Sequence, residues 1–212
     1  MRLLDKYDLF IFDWDNTLSS STAPVRAMQF LKKDILLWYA KTHSEKYRKE
    51  LTLKMDGMMN RAAENNFYAR LYDTYSRFFR PGLKGGALDV LKLLKKNGKK
   101  VAIFSDARTY RLFSETRDLG VLRYVDLALA AESIHYYKPN PAGLLLIMDR
   151  FRIAKAKTVY VGDMASDILT AKFAGVDSCG VADGLDPYDG LKSAGAGHMF
   201  MNLSGLLSTL EG

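Results

Sequence analysis

The stretch FIFDWDNTL covers residues 10–18. Its first three residues continue an apolar, β-prone run that starts at Leu9, which is typical of a buried strand. Two carboxylates, Asp13 and Asp15, follow directly, and residues two apart in an extended segment point to the same side. Open α/β sheets bind their ligands at the carboxyl ends of their strands. The stretch therefore predicts paired carboxylates at a binding edge, although taken alone it also fits a polar turn after an ordinary strand.

Length and composition narrow the class of protein. A chain of 212 residues with 48% hydrophobic residues fits one globular core domain with a smaller inserted domain. No apolar run approaches the roughly 20 residues of a membrane span, and the first ten residues do not resemble a signal peptide, so we expect a cytoplasmic protein with no membrane association. The single cysteine, Cys179, excludes an internal disulfide and a zinc cluster, and its strand-like setting predicts a buried structural thiol.

The net charge of +7 is concentrated in one segment. Residues 22–80 hold twelve basic and six acidic residues, whereas the rest of the chain holds 19 basic and 18 acidic residues. A basic segment can attract phosphate esters or nucleic acid, but it also fits a solvated helical face. No nucleic-acid-binding motif accompanies the charge, so we expect a small anionic ligand and not nucleic acid. The sequence carries no signal of the oligomeric state.

Strands and helices alternate on both sides of the basic segment. After the first strand, further strands are predicted at 99–104, 126–130, 157–163 and 176–181, with a sixth near 198–202, and amphipathic helices lie between them. This alternation predicts an α/β fold with a Rossmann-like parallel sheet and right-handed crossovers. Residues 20–80 show helical spacing of apolar residues and no clear strand. We therefore predict a core of residues 1–19 and 81–212 and an inserted all-helical domain over residues 20–80.

Polar groups stand at four of the predicted strand ends or loops. They are the pair Asp13 and Asp15 with Thr17 beyond it, then Ser105, then Lys138, then Asp163 with Asp167. Each group alone has an ordinary structural explanation, such as a cap for Ser105 or compensation of a helix dipole for the last pair. Together they supply carboxylates for a hard cation, a hydroxyl, an ammonium and a nucleophile. This set of groups is suited to phosphoryl transfer, in which charge on the phosphoryl oxygens must be neutralised.

At this point the sequence resembles a known family. Asp13-x-Asp15-x-Thr17, Ser105, Lys138-Pro139 and Gly162-Asp163-x3-Asp167 are similar to the four ordered motifs of the haloacid dehalogenase superfamily. The resemblance runs from residue 8 to about residue 205, and the end of the chain is similar to phosphoglycolate phosphatase-like members. The helical insertion matches the position of that superfamily's helical C1 cap.

The resemblance implies a role for each motif residue. Asp13 would be the nucleophile that forms an aspartyl-phosphate, and Asp15 would be the general acid and then the general base. Mg2+ would be the cofactor, bound by Asp13, by Asp15 through its backbone carbonyl, and by Asp163. Ser105 and Lys138 would bind the phosphoryl group. Asp167 would act behind these residues, through water or by orienting Lys138, and Thr17 would shape the loop.

One residue departs from the family pattern. Members of this branch often have Asn after the hydroxyl residue of the second motif, where this chain has Asp106. A carboxylate that faced the phosphate would repel it, so we expect the Asp106 side chain to turn away while its backbone N–H remains available.

The leading prediction is a Mg2+-dependent phosphatase, a phosphoric monoester hydrolase that acts on a small phosphate ester. A haloacid dehalogenase is disfavoured, because that branch lacks the carboxylate that Asp15 supplies. A phosphomutase or a phosphonatase of the same fold remains an alternative. A non-catalytic module that binds a partner through the basic segment is an alternative from a different class of protein.

Overall fold

A six-stranded parallel sheet forms the centre of the part of the chain that the computed structural model describes, which is residues 2–20 and 80–212. The strands of this part are β1 (Leu9–Phe12), β2 (Ser19–Ser20), β3 (Gly82–Leu83), β4 (Lys100–Ser105), β5 (Leu127–Ala130), β6 (Thr158–Gly162), β7 (Asp177–Val181) and β8 (His198–Phe200). The helices are α1 (Leu3–Lys6), α2 (Ala87–Lys96), α3 (Thr109–Asp118), α4 (Ala131–Ile134), α5 (Ala142–Phe151), α6 (Ala165–Ala174), α7 (Tyr188–Ala194) and α8 (Leu203–Glu211).

The strand order of the sheet is β5-β4-β1-β6-β7-β8. The first strand lies near the middle, where Phe12 is paired with Ile103 of β4 on one side and with Val161 of β6 on the other. Because all three strands run in the same direction, the residues that follow them meet at one edge of the sheet. This arrangement confirms the predicted α/β fold with a parallel sheet.

The first strand is buried on both of its faces. Phe10 and Phe12 pack into a core that includes residues of α1, α2 and α8. Leu9 and Ile11 point to the opposite face and pack with residues of α5 and α6. A parallel strand covered by helices on both sides must be apolar at every position, which explains the continuous run that the sequence shows there.

The predicted strands and helices of the core agree with the structure to within two or three residues. Helix α6 is followed by Gly175, whose left-handed conformation with φ of 74° is typical of the residue that ends a helix. Cys179 is a free thiol buried in β7, which confirms its predicted structural setting. Helices α1, α4, α7 and α8 were not predicted, and neither was the short pairing of β2 with β3.

Strands β2 and β3 join the two ends of the predicted insertion. They are antiparallel, with Ser19 opposite Leu83 and Ser20 opposite Gly82, so the two chain positions that flank the predicted insertion lie side by side. The chain divides into two units, one of residues 1–20 and 82–212 and the other of residues 21–81. The helices predicted for residues 20–80 lie outside the described residues. In the part that is described, no helix is long and apolar enough to span a membrane.

Candidate active site

The carboxyl edge of the sheet carries most of the predicted site residues. Asp13 follows β1, Ser105 ends β4, and Asp163 follows β6. Lys138 lies in the loop between α4 and α5. All four side chains are buried, although three of them carry a charge in their usual ionised state. Buried charges are costly unless they are paired, so their partners determine what this edge can do.

Lys138 links two carboxylates. Its Nζ donates to Asp13 Oδ1 at 2.5 Å and to Asp167 Oδ1 at 2.7 Å. Burial alone would lower the pKa of Lys138, but the carboxylates of Asp13 and Asp167 hold this pKa well above its ordinary value. The ammonium therefore keeps its charge and fixes the orientation of Asp13.

Three carboxylates form a cluster beside this ammonium. Asp13, Asp163 and Asp167 each contribute one oxygen, and these oxygens lie within 4.8 Å of one another. Burial raises the pKa of Asp13 well above its ordinary value, and repulsion from Asp167 and Asp163 adds to the shift. Burial, followed by repulsion from Asp167, raises the pKa of Asp163 to about 7. One ammonium cannot neutralise three carboxylates, so this cluster favours an additional cation.

The donor set of the cluster fits a hard divalent cation. Carboxylate oxygens are the ligands that a hard divalent cation prefers, and each carboxylate has about four lone-pair positions, which hydrogen bonds fill only in part. A bound cation would also allow several acids to share one small buried volume.

Asp163 is held in place by neighbours from two segments of the chain. Thr17 Oγ1 donates to Asp163 Oδ1 at 2.8 Å, and the Leu185 backbone N–H donates to Asp163 Oδ2 at 2.8 Å. A Cβ added at Gly184 would stand 2.2 Å from Asp163 Oδ2, so only glycine fits at that position without a shift of the carboxylate. Thr17 thus positions a carboxylate, in addition to any part that it has in shaping its loop.

Asp167 is held by a tyrosine of β6 and by the backbone just before α6. The Tyr160 hydroxyl lies 3.1 Å from Asp167 Oδ1, and the Met164 backbone N–H donates to Asp167 Oδ2 at 2.9 Å. The spacing of four residues between Asp163 and Asp167 does not place the two carboxylates on one face of a helix. Helix α6 begins at Ala165, so Asp163 precedes the helix and only Asp167 lies in its first turn.

Asp15 is directed to a different set of partners. Arg111, on α3, donates to both of its carboxylate oxygens, with 2.9 Å between Arg111 Nη1 and Asp15 Oδ1. The same guanidinium contacts Glu115, one turn further along α3, at 3.1 Å. Glu115 Oε2 in turn accepts from Trp14 Nε1 at 2.6 Å. Trp14 is fully buried, and its position between Asp13 and Asp15 connects the network to the turn that carries both carboxylates.

Ser105 and Asp106 stand at the end of the neighbouring strand β4. The Ser105 hydroxyl oxygen accepts from the Ala107 backbone N–H at 3.1 Å, which leaves its own proton available to a ligand. Asp106 Oδ1 accepts from the Lys138 backbone N–H at 3.1 Å. The carboxylate of Asp106 thus supports the loop that carries Lys138.

The structure therefore brings together Asp13, Lys138, Asp163, Asp167 and Thr17 through direct contacts or close approach. It places Ser105 at the same edge and turns the Asp15 side chain toward α3. The supporting roles of four residues were not predicted from the sequence: Arg111, Glu115, Trp14 and Tyr160. One signal for the first two was available, because an Arg and a Glu four residues apart lie on the same face of a helix.

Residues 10–181 match the family model of the haloacid dehalogenase-like hydrolases. The chain belongs to this family. The match covers all four motifs and confirms the family that the sequence resembles. In the structure, the four hydrolase motifs lie at the carboxyl edge of the sheet and in the loop that carries Lys138.

Two relatives of this hydrolase chain are named as phosphatases. "Probable phosphatase IndB" of Dickeya dadantii is 34% identical over 142 residues, which cover 58% of this chain and 60% of the relative. A phosphoglycolate phosphatase of Photorhabdus laumondii is 28% identical over 146 residues, which cover 69% of this chain and 60% of the relative. The matched part of the chain thus spans less than two thirds of the length of either relative.

A solved structure shares the fold. It is described as a predicted phosphoglycolate phosphatase from Haemophilus somnus, with a TM-score of 0.71 and 17% identity. The alignment covers 95% of this chain and 97% of that chain. At this identity the likeness establishes the fold of the hydrolase family and nothing about the substrate.

Proposed function

We propose that this chain is a Mg2+-dependent phosphatase that hydrolyses a small phosphomonoester through an aspartyl-phosphate intermediate. The observation that carries the proposal is the position of the Lys138 ammonium, which contacts Asp13 and Asp167 beside a cluster of three buried carboxylates. Membership of the hydrolase family and the two relatives named as phosphatases support the same reading.

Asp13 is the proposed nucleophile. Its carboxylate is buried and held by Lys138, so one oxygen has a fixed orientation at the edge of the sheet. In the first step the other oxygen would attack phosphorus, the bond to the ester oxygen would break, and the leaving alcohol would take a proton from Asp15. In the second step Asp15 would remove a proton from water, which would attack the phosphorus of the aspartyl-phosphate and release phosphate and Asp13.

Lys138 and Ser105 are the proposed phosphate-binding residues. The Lys138 ammonium carries a charge that can neutralise the phosphoryl oxygens, and Ser105 keeps a hydroxyl proton to donate. Asp13, Asp163 and the backbone carbonyl of Asp15 would hold Mg2+, which would supply further positive charge to the phosphoryl group. Asp167 would orient Lys138, with which it is in direct contact.

We further propose that residues 20–80 form a helical cap that selects the substrate and that the protein acts in the cytoplasm. Both parts of the proposal rest on the sequence. The basic balance of residues 22–80 favours an ester with a second anionic group, such as a carboxylate. Arg26, Lys32 and Lys33 are the first residues to neutralise, and unchanged KM values for every anionic ester would contradict this part of the proposal.

A panel of small phosphate esters, assayed with Mg2+ and with a chelator, tests the proposed function. We expect phosphate release with Mg2+ and none with the chelator. Asp13→Asn should abolish turnover, because an amide is a poor nucleophile toward phosphorus. Asp8→Asn is the matched control, since Asp8 lies at the opposite end of the same strand and should leave activity unchanged. Turnover by the Asp13 variant at the wild-type rate would contradict the proposal.

A further inference from the structure

The side chain of Asp15 is held by a chain of buried contacts that the four motifs do not include. Arg111 donates to both oxygens of Asp15, and Glu115 accepts from Arg111 on its other side. The side chains of Arg111 and Glu115 are each 7% exposed, and that of Asp15 is 16% exposed. A guanidinium that makes two parallel hydrogen bonds to one carboxylate fixes the plane of that carboxylate as well as its distance.

The network is anchored at both of its ends. Arg111 and Glu115 are four residues apart on α3, where both face the buried side of the helix. Glu115 is also bound by the indole N–H of Trp14, which is fully buried beside β1. Burial raises the pKa of Glu115, although the Arg111 charge opposes this shift. The guanidinium is thus held between two carboxylates, and it has little freedom to move away from Asp15.

The orientation of the Asp15 carboxylate depends on the Arg111 contact, because among the residues that the structure describes Asp15 lacks the contacts that hold Asp13. Asp13 is held by Lys138 at the edge of the sheet, whereas Asp15 stands in the turn beyond the strand and is not one of the three clustered carboxylates. A proton donor must stand within hydrogen-bond reach of the leaving oxygen, and an error of about 1 Å can cost about 100-fold in rate. The guanidinium uses one lone-pair position on each oxygen, so others remain for the proton and the substrate.

We propose that Arg111, anchored by Glu115, is a positioning residue that fixes the orientation of the Asp15 carboxylate for proton transfer. This inference rests on the proposed function, because it assumes that Asp15 exchanges a proton with the leaving alcohol and with water. It predicts that the loss of Arg111 acts only through Asp15.

Arg111→Lys is the main variant, because Lys keeps the positive charge but cannot make two parallel hydrogen bonds to a carboxylate. Glu115→Gln is the second variant, since it keeps the shape and an acceptor oxygen while it weakens the anchor of Arg111. Arg117→Lys is the matched control on the same helix, because Arg117 is exposed and pairs with Asp118 at 3.1 Å. Urea unfolding verifies that each variant is folded.

The first readout is kcat/KM for two esters with different leaving groups. An alkyl phosphate requires protonation of its leaving oxygen, whereas p-nitrophenyl phosphate has a stable leaving group and needs little help from an acid. Arg111→Lys should lower kcat/KM for the alkyl ester by about tenfold to 100-fold and for the aryl ester by less than about threefold. Glu115→Gln should cause a smaller loss with the same preference, and Arg117→Lys should cause none.

The second readout is a double-mutant cycle with Asp15→Asn. If Arg111 acts through Asp15, Arg111→Lys should have no further effect on the alkyl ester in the Asp15→Asn background. An equal loss of kcat/KM for both esters, or an additive loss in the double mutant, would overturn the role of Arg111 but not the proposed function. Failure of the wild-type enzyme to hydrolyse any phosphate ester would overturn the proposed function and the role of Arg111 with it.

Discussion

Gly184 offers a way to disturb the proposed cation site without removing any of its proposed ligands. An alanine Cβ at this position would stand 2.2 Å from Asp163 Oδ2 and 2.3 Å from Asp163 Cβ, whereas ordinary contacts begin near 3.4 Å. The backbone of Gly184 does not require a positive φ, so the effect of Gly184→Ala is steric. Relief of the clash requires a displacement of roughly 1 Å, and Asp163 is the group that must move or push back.

Asp163 cannot move freely, because Thr17 and the Leu185 backbone hold its two oxygens at 2.8 Å each. Forcing an extra methyl group into such a packed site costs about 1–3 kcal/mol of unfolding free energy. A ligand displaced by about 1 Å should also reduce turnover on the order of 100-fold. We therefore expect Gly184→Ala to lose both stability and Mg2+ affinity.

Urea unfolding and calorimetric titration with Mg2+ measure the two effects of Gly184→Ala separately. Gly143→Ala is the matched control, because its Cβ would stand 2.2 Å from the Phe104 ring, which is a core contact and not a cation ligand. This control should lose a similar amount of unfolding free energy and keep its Mg2+ affinity. Wild-type Mg2+ affinity in Gly184→Ala would refute the reasoning that Asp163 holds the cation from its present position.

Further predictions concern the buried groups of the core. The pKa of Asp163 is raised from 3.8 to about 7, so between these pH values the folded state keeps a proton that the unfolded chain has lost. Without a divalent cation, the unfolding free energy should therefore fall as the pH rises from about 4 to about 7. Binding of Mg2+ by Asp163 would displace that proton, so the affinity for Mg2+ should rise by about tenfold per pH unit up to about pH 7. Equal affinities at about pH 5.5 and pH 7 in calorimetric titrations would contradict this. Tyr160→Phe removes the hydroxyl beside Asp167 and should lower the unfolding free energy, measured in urea, by about 1–2 kcal/mol. The value of kcat should fall by less than tenfold, and loss of all activity would contradict a purely supporting role for Tyr160. Burial raises the pKa of Cys179, so a thiol reagent should modify it only after unfolding, and rapid modification of the folded protein would contradict its buried position.

The fold was largely predictable, because its strands are buried on both faces. Such strands leave continuous apolar runs such as Leu9–Phe12, and the helices between them show their own periodicity. The strand order and the pairing of Ser19–Ser20 with Gly82–Leu83 were not predictable. A pair of two-residue strands has no periodicity to detect, and it forms only because the fold brings distant parts of the chain together.

The motif residues of the site were predictable for a topological reason. Parallel strands end at one edge, so polar residues after several strands meet there, as Asp13 and Asp163 do. The supporting residues could not be derived in the same way. Arg111 contacts Asp15 across 96 positions of sequence, and this contact depends on how α3 packs beside the sheet. The sequence alone gave no indication of which carboxylate the Arg111 guanidinium would bind.

The covalent intermediate on Asp13 provides the most direct test of the central claim. Rapid acid quench of the wild-type enzyme during turnover of a phosphate ester, followed by peptide mass spectrometry, should show one added phosphoryl group on Asp13. With p-nitrophenyl phosphate, whose leaving group needs little help from an acid, Asp15→Asn should accumulate this species, because the base that activates water is missing, and Asp13→Asn should not form it. Sustained turnover with no phosphoryl group on Asp13, or with the group on another residue, would contradict the account.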